Sequence, residues 1–323
     1  MTPPADQSCC HPDIRAFDGV RCCLSCGFCL FDEPTQTCTR GPNREDDTYA
    51  GFKDTFKYRR LNYELGLEIR LAILKQGSHE EELYCDIVHA NLDDKPRFEA
   101  VSYTWADQKG KAEMSRWVNC SGGRRIRITT NCHAVLRRIR SLGSKRTLWI
   151  DMLCIDHNNV DERNHQVNLM SKIYSLADNV LVDVGEEDSA SSLVFEQSTR
   201  FALNQPSSIS LEVLRDFFSR RWFHRMWVLQ EIAFAGHASV LCGSRCTDWQ
   251  TLQAFVNRVT ARVGNEGPSL IVPGAFDVKR IAIDSWQIES LPELLDAIRH
   301  RPEGQDFRTS RAITSSSPRV RSC

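Results

Sequence analysis

Seven of the fourteen cysteines, at positions 9, 10, 22, 23, 26, 29 and 38, crowd into the first 38 residues. A zinc ion takes four nitrogen or sulfur ligands in a tetrahedron, and the turn Cys23-x-x-Cys26, closed by Gly27, brings two thiolates to it without strain. Cys9 and His11 supply the other two ligands in this reading, with Cys10 or Cys29 as substitutes. The competing use is a set of free or redox-active thiols; in a reducing compartment, metal explains the clustering better. A closed four-ligand site leaves no position for substrate, so the expected role is structural.

Two carboxylates stand in apolar surroundings. Asp151 interrupts TLWIDMLCI, which reads as a strand buried on both faces. A carboxylate near the carboxyl end of a parallel strand often points into the active crevice of an α/β sheet; equally, it can be satisfied by a helix N-terminus or an arginine. Cys154 and His157 have the residue types of a thiol nucleophile and its base, but C-x-x-H recurs by chance, which argues against a cysteine hydrolase. Glu231 is the second carboxylate. If WFHRMWVLQEIAFA forms one helix, Phe223, Trp227 and Glu231 share a face of a helix that is apolar nearly all round. Burying that carboxylate costs several kcal/mol unless it is paired, hydrogen-bonded or protonated. It therefore marks either a pocket or an ion pair with Arg220, Arg221 or Arg225, and spacing alone slightly favours the pair.

The elements that would position these groups alternate in type. Strands are expected over 67–74, at a sheet edge, and over 98–105, 124–130, 147–155, 179–185 and 239–243. Helices are expected over 131–142 with Asn131 as N-cap, from the cap Asn159 with Glu162 completing a capping box, over 189–204, and once or twice within 211–235. In the helix after Asn159, Val160, Val167, Met170, Ile173 and Ala177 fall on one face. Alternation of this kind predicts an α/β fold with a largely parallel sheet and flanking helices, ligands binding at the strands' carboxyl ends near a switch in strand order. The expected organisation is a Cys-rich zinc module over 1–40, a polar linker over 41–57, the main domain over 58–262, a helical extension over 263–303 that includes a helix over 288–301, and a disordered basic Ser/Arg tail over 304–323.

Length and charge set outer bounds. At roughly 150 residues per domain, 323 residues allow about two domains. A net charge of -1 provides no field to steer the chain onto nucleic acid or an anionic membrane, and the first fifty residues are acidic, which argues against nucleic-acid binding through the Cys-rich leader. No apolar run reaches membrane-spanning length and no signal-peptide order opens the chain, so a cytoplasmic protein is expected.

Three blocks, FEAVSYTW (98–105), LWIDMLCIDHNNVDERNHQVNLMSKIYSLADNVLVDVG (148–185) and RRWFHRMWVLQEIAFAGHASVLCG (220–243), resemble the HET (heterokaryon incompatibility) domain of filamentous fungi in the family's order. The Cys-rich leader resembles one found ahead of some members. The resemblance implies a self/non-self recognition protein that triggers growth arrest or cell death on allelic mismatch, with protein partners and self-association. It further implies a distant relation to TIR domains, which are flavodoxin-like and in some branches cleave NAD. On that analogy Trp227-x-x-x-Glu231 is similar to the TIR segment carrying a tryptophan and a catalytic glutamate; Glu231 is the expected catalytic residue. Ser102, Tyr103, Trp105, Asp151 and Trp227 are the expected substrate-binding residues. Three positions depart from the pattern: Ala106 replaces a usual Gly, His157 a usual Gln, and Asp183 an apolar or aromatic residue. Members usually continue past this domain, so a truncated or mis-spliced product is an expectation as well.

Overall fold

The computed structural model describes residues 14–17, 20–23, 29–31, 55–62, 66–225 and 228–263. In the Cys-rich leader, β1 (Ile14–Phe17), β2 (Val20–Cys23) and β3 (Cys29–Phe31) form an antiparallel sheet in which Cys22 lies opposite Cys29. Asp18-Gly19 separates the first two strands, a dipeptide that two-residue hairpins favour. Cys9, Cys10, His11 and Cys26 lie outside the described residues, as do the expected helix over 288–301 and the Ser/Arg tail.

The main sheet has nine strands in the order β12-β11-β10-β6-β9-β4-β5-β7-β8. They are β4 (Glu68–Leu74), β5 (Tyr84–Asn91), β6 (Glu99–Ser102), β7 (Arg116–Cys120), β8 (Arg125–Ile128), β9 (Arg146–Trp149), β10 (Asn179–Asp183), β11 (Ala238–Cys242) and β12 (Arg245–Asp248). Strands β11, β10, β6 and β9 run parallel, as do β5 and β7; the other four pairings are antiparallel. The sheet is therefore mixed rather than largely parallel, its parallel character concentrated in the four strands that carry the site. The strand expected at an edge, β4, instead lies between β9 and β5. It pairs along its whole length with β5, and all but two of its seven residues are buried.

Helices α1 (Thr130–Ile139), α2 (Asp151–Cys154), α3 (Val160–Leu176), α4 (Ser189–Ala202), α5 (Leu211–Phe218), α6 (Val228–Ala233) and α7 (Trp249–Val263) connect and extend the strands. Three local expectations give way. Thr129, not Asn131, caps α1 by accepting the Cys132 N–H at 3.1 Å, which frees Asn131 to donate to the Thr104 carbonyl at 2.5 Å. The strand at 147–155 stops at Trp149, and Ile150 caps the single turn α2, because its carbonyl accepts the Leu153 and Cys154 N–H groups. The helix expected through 222–235 breaks into a 3-10 turn over 221–224, extended backbone at Arg225, and α6. That break lets Trp222 and Phe223 bury against Phe217, Phe218 and Trp249 while Arg220 and Arg225 reach the sheet edge.

The cap Asn159 does accept the Glu162 N–H, at 3.1 Å, but the Glu162 carboxylate does not close a capping box. It accepts the Asp156 N–H at 2.7 Å and meets the guanidinium of Arg70, a residue in the middle of β4; both side chains are 1% exposed. Arg70 also donates to the Cys154 carbonyl at 3.1 Å and the Arg59 carbonyl at 2.6 Å, and its guanidinium lies 4.9 Å from the Tyr58 ring. This clasp pins the loop between α2 and α3 to the sheet and explains why α3 buries Glu162 and Gln166 while Val160 stays exposed. Removing one member of a buried pair strands the other's charge. Glu162→Gln is expected to lose about 3–5 kcal/mol of unfolding free energy in urea titration; a loss under about 1 kcal/mol would show that the clasp is dispensable.

Candidate functional site

From β6 the chain runs through β7 and β8 at the far edge to β9 on one side of β6, and then crosses β6 to β10 on the other. The strand order reverses at β6, and in open α/β sheets that reversal leaves a crevice at the strands' carboxyl ends where ligands bind. Ser102 is the last residue of β6, Asp151 follows the end of β9, and Asp183 is the last residue of β10. Topology thus marks this end of β6 as the candidate site before any side chain is considered.

Around it the structure brings together most of the expected residues. The Ser102 hydroxyl donates to the Glu231 carboxylate and accepts the Trp222 indole N–H at 2.8 Å. Arg225 donates to the Tyr103 carbonyl at 2.5 Å and stands 3.8 Å from the other Glu231 oxygen. Glu231, 3% exposed, is therefore answered by one hydroxyl and one guanidinium. Burial pushes its carboxyl up from the ordinary value; Arg225 and Ser102 pull against that, and Asp151 adds to it. Of the three arginines named as partners, Arg225 is the one that meets Glu231, whereas Arg220 turns to the Val184 and Glu186 carbonyls at 3.2 and 2.8 Å.

Asp151 and Trp105 form the outer half. The Trp105 indole, 37% exposed, donates to the Asp151 carboxylate at 2.6 Å, and the other Asp151 oxygen accepts the Met152 N–H at 2.7 Å. Asp151 is thus held at a helix N-terminus, one of its two expected settings, and also faces the crevice edge through Trp105. The His157 ring meets Trp105 edge-on at 4.9 Å and contacts the Asp151 carbonyl at 3.0 Å through Nε2. Burial lowers the His157 pKa, keeping the ring neutral at pH 7 and suited to packing rather than charge. Tyr103 is wholly buried between Asp151 and Cys132, and burial pushes its hydroxyl far up. It serves the inner wall rather than presenting its side chain to a ligand. Trp227 lies outside the described residues.

The departures at 106 and 183 have local accounts. Among the described non-glycine residues only Lys95 and Asn204 have positive φ, so Ala106 sits without the conformation that demands glycine. Asp183, 2% exposed, is gripped by Arg138 from α1 at 2.7 and 2.9 Å and accepts the Gly185 N–H at 3.0 Å. Gly185 has φ +106°, a conformation that favours glycine, and the Gln108 side-chain nitrogen from the 106–111 loop packs against it, donating to the Val184 carbonyl at 3.4 Å. Sequence reasoning missed Trp222 and Tyr174; Tyr174 reaches from α3 to the Val101 carbonyl at 3.4 Å. Neither carried a spacing signal, since an aromatic beside an arginine or on an amphipathic helix reads as plain core.

Elsewhere, a cleft of about 560 Å³ opens at the opposite, amino-terminal edge of the sheet, lined in part by Arg97, Glu99, Lys145, Arg146 and Asp178. Its arginines are spoken for: Arg146 grips Glu99 at 2.6 and 2.7 Å and Arg97 meets Asp178 at 3.1 Å. Topology and the buried carboxylate favour the other edge. Among the described residues no group of three His, Cys, Asp or Glu side chains converges to hold a metal, and no helix is long and apolar enough to cross a membrane.

Residues 98–231 match the family described as Heterokaryon incompatibility protein (HET), a span that runs from the start of β6 to Glu231 itself. The chain is also similar to Heterokaryon incompatibility protein 6, OR allele, of Neurospora crassa, with 26% identity over 240 residues, covering 58% of this chain and 35% of that protein. It spans about a third of the length of that curated relative. No solved structure matches.

Because the folded chain holds the Glu231 proton more tightly than the unfolded chain does, its contribution to stability falls as pH rises from the ordinary 4.5 through the higher folded value. Glu231→Gln removes that ionisation. The melting temperature of Glu231→Gln relative to wild type is expected to climb between pH 4.5 and 7.5 in calorimetric scans. A difference that stays flat, or falls, over that range would contradict a carboxyl raised by burial.

Proposed function

We propose, from the match of residues 98–231 to the HET family, that this chain works in heterokaryon-incompatibility-type self/non-self recognition and cell-death signalling, and that a crevice at the end of β6 cleaves NAD at the nicotinamide-ribose bond. The observation that carries the chemical part is the position of Glu231: a buried carboxylate at the strand-order switch, bonded by Ser102 and flanked by Arg225. In the proposed step the C1′–N bond breaks, its electron pair leaves with neutral nicotinamide, and water adds to the oxocarbenium-like ribose and yields a proton to solvent. A carboxylate in a water-poor crevice stabilises the positive charge as it develops. Arg225 and Ser102 favour the ionised Glu231 that this requires, against the pull of burial. Trp105 offers a half-exposed ring for stacking, and its N–H is fixed by Asp151. With Glu231 only 3% exposed, ribose reaches it when Ser102 or Arg225 gives way, which fits a domain that is silent until triggered.

The second reading is a non-enzymatic module that works by self-association or by docking a protein partner, with Glu231 a structural ion-pair member. The 3.8 Å approach of Arg225 and the near-complete burial favour it. In both readings the leader is a structural zinc module with Cys9, His11, Cys23 and Cys26 as ligands and Cys10 or Cys29 as alternates. That Cys23 ends β2 supports it, because the Cys-x-x-Cys pattern then begins at the end of a hairpin strand. Purified protein is expected to retain about one equivalent of zinc after dialysis; under about half an equivalent would sink the site.

Nicotinamide release from NAD, followed at high protein concentration or with a crowding agent, separates the two functional readings. Release by wild type that falls at least about 100-fold in a folded Glu231→Gln variant is the expected result. No release from wild type under conditions where it visibly assembles would remove the NAD chemistry and leave the interaction module.

A further inference from the structure

Cys85 and Cys120 lie side by side in neighbouring parallel strands, in register, with their sulfurs 3.8 Å apart. Adjacent strands are separated by about 4.8 Å, inside the Cα range that a disulfide spans, so side-chain rotation can bring the sulfurs to the bonded length of about 2.05 Å. The pair sits at a thinly joined seam of the sheet, as short as the one between β6 and β9. β5 and β7 share only the register pairs Tyr84 with Asn119 and Cys85 with Cys120, whereas β4 and β5 share seven. Everything beyond this seam, the β7–β8 hairpin, is connected to β5 within the sheet by those two steps alone.

We propose that Cys85 and Cys120 are a redox-sensitive pair that forms a reversible disulfide across the β5–β7 seam when the protein meets a peroxide. The two thiols differ in the way a two-step oxidation needs. Cys120 closes β7 immediately before the 3-10 turn over 121–123 and keeps 5% of its surface exposed, while Cys85 is fully buried. Cys85 holds the Cys120 thiol below its usual value by hydrogen bonding, with Lys75 acting in the same direction, and Cys85 itself is pushed up by the same bond and by burial. Cys120 is therefore the thiol that attacks hydrogen peroxide, breaking the O–O bond to give its sulfenic acid and one water. The Cys85 thiol then displaces the sulfenic hydroxyl, forming the S–S bond and releasing a second water. Two thiols are oxidised by two electrons and one peroxide is reduced to two waters, and a dithiol reagent reverses the reaction. Cys132, Cys154 and Cys242 are buried as well, but none has a second described thiol in contact, so none has a resolving partner.

The test is peroxide titration of the full chain, followed by alkylation of remaining thiols and mass spectrometry of the digest. Exposed Cys246 serves as the internal reference for a solvent-accessible thiol. The expected result is a peptide pair linked through Cys85 and Cys120, lighter by two hydrogens and abolished by dithiothreitol. The melting temperature of the oxidised chain should also lie about 5–10 °C above that of the reduced chain. Cys120→Ser should fold, because it keeps a small polar side chain at the strand end, and should lose both the linked peptide and the shift. Modification of Cys246 to completion with Cys85 and Cys120 still fully alkylated would overturn the proposal, and so would a sulfinic acid at Cys120 with no linked peptide.

Discussion

A carboxylate taken out of water has to be met by a cation or by hydrogen-bond donors, because an unanswered charge in a protein interior costs more than any single packing contact returns. Among the described residues, three glutamates and aspartates are buried to within a few percent, and each is met by an arginine arriving from a different element: Glu162 by Arg70, Asp183 by Arg138, Glu231 by Arg225. Arg70 comes from the sheet interior, Arg138 from α1, and Arg225 from the break between the 3-10 turn and α6. Each pair ties one connection at the carboxyl end of the parallel strands to another part of the molecule. The crevice edge is accordingly a lattice of satisfied charges, and the loops that bound it are fixed by the requirement that none of those charges be left alone.

This constraint links fold to chemistry. The strand-order switch at β6 marks the candidate crevice, and the side chains beside it come from loops that the charge pairs hold. Ser102 is shared between Trp222 and Glu231, so the end of β6 and the segment from 222 to 231 are coupled through one hydroxyl. Asp151 holds Trp105 by the indole while anchoring its own helix turn, and His157 braces the same indole from the side. In the proposed reading, the buried carboxylate inside and the half-exposed aromatic outside hold a nucleotide once Arg225 and Ser102 give way.

Where the residues themselves dictate structure, the sequence was legible. Strand-like segments at 98–105 and 179–185 and the almost continuously apolar run at 147–155 marked β6, β10 and β9, and the Asn159 cap placed α3 to the residue. Glu231 stood out because a carboxylate in an apolar helix pattern must be accounted for, and Asp151 for the same reason. Errors arose where tertiary demands outweigh local pattern. The edge assignment of β4 failed because alternation was read at Arg70, which is buried and paired by a residue 92 positions away. Of the one or two helices expected within 211–235, two form, and they do not join through 221–225 because two arginines and two aromatics are needed on opposite sides of that short stretch. The hairpin partner of β8, and β5, carry too many polar residues to announce themselves; they are strands because neighbours complete their ladders. Arg225 could be named only as one of three, since distance in space is not written in spacing.

The central claim is that a ligand enters at the carboxyl end of β6 rather than through the cleft at the opposite edge. Hydrogen exchange of the full chain with and without excess NAD tests this most directly. Slower exchange at backbone amides of 103–106 and 151–157, with 97–99 and 145–147 unchanged, is the predicted result. Protection confined to 97–99 and 145–147, or protection nowhere at saturating NAD, would contradict it.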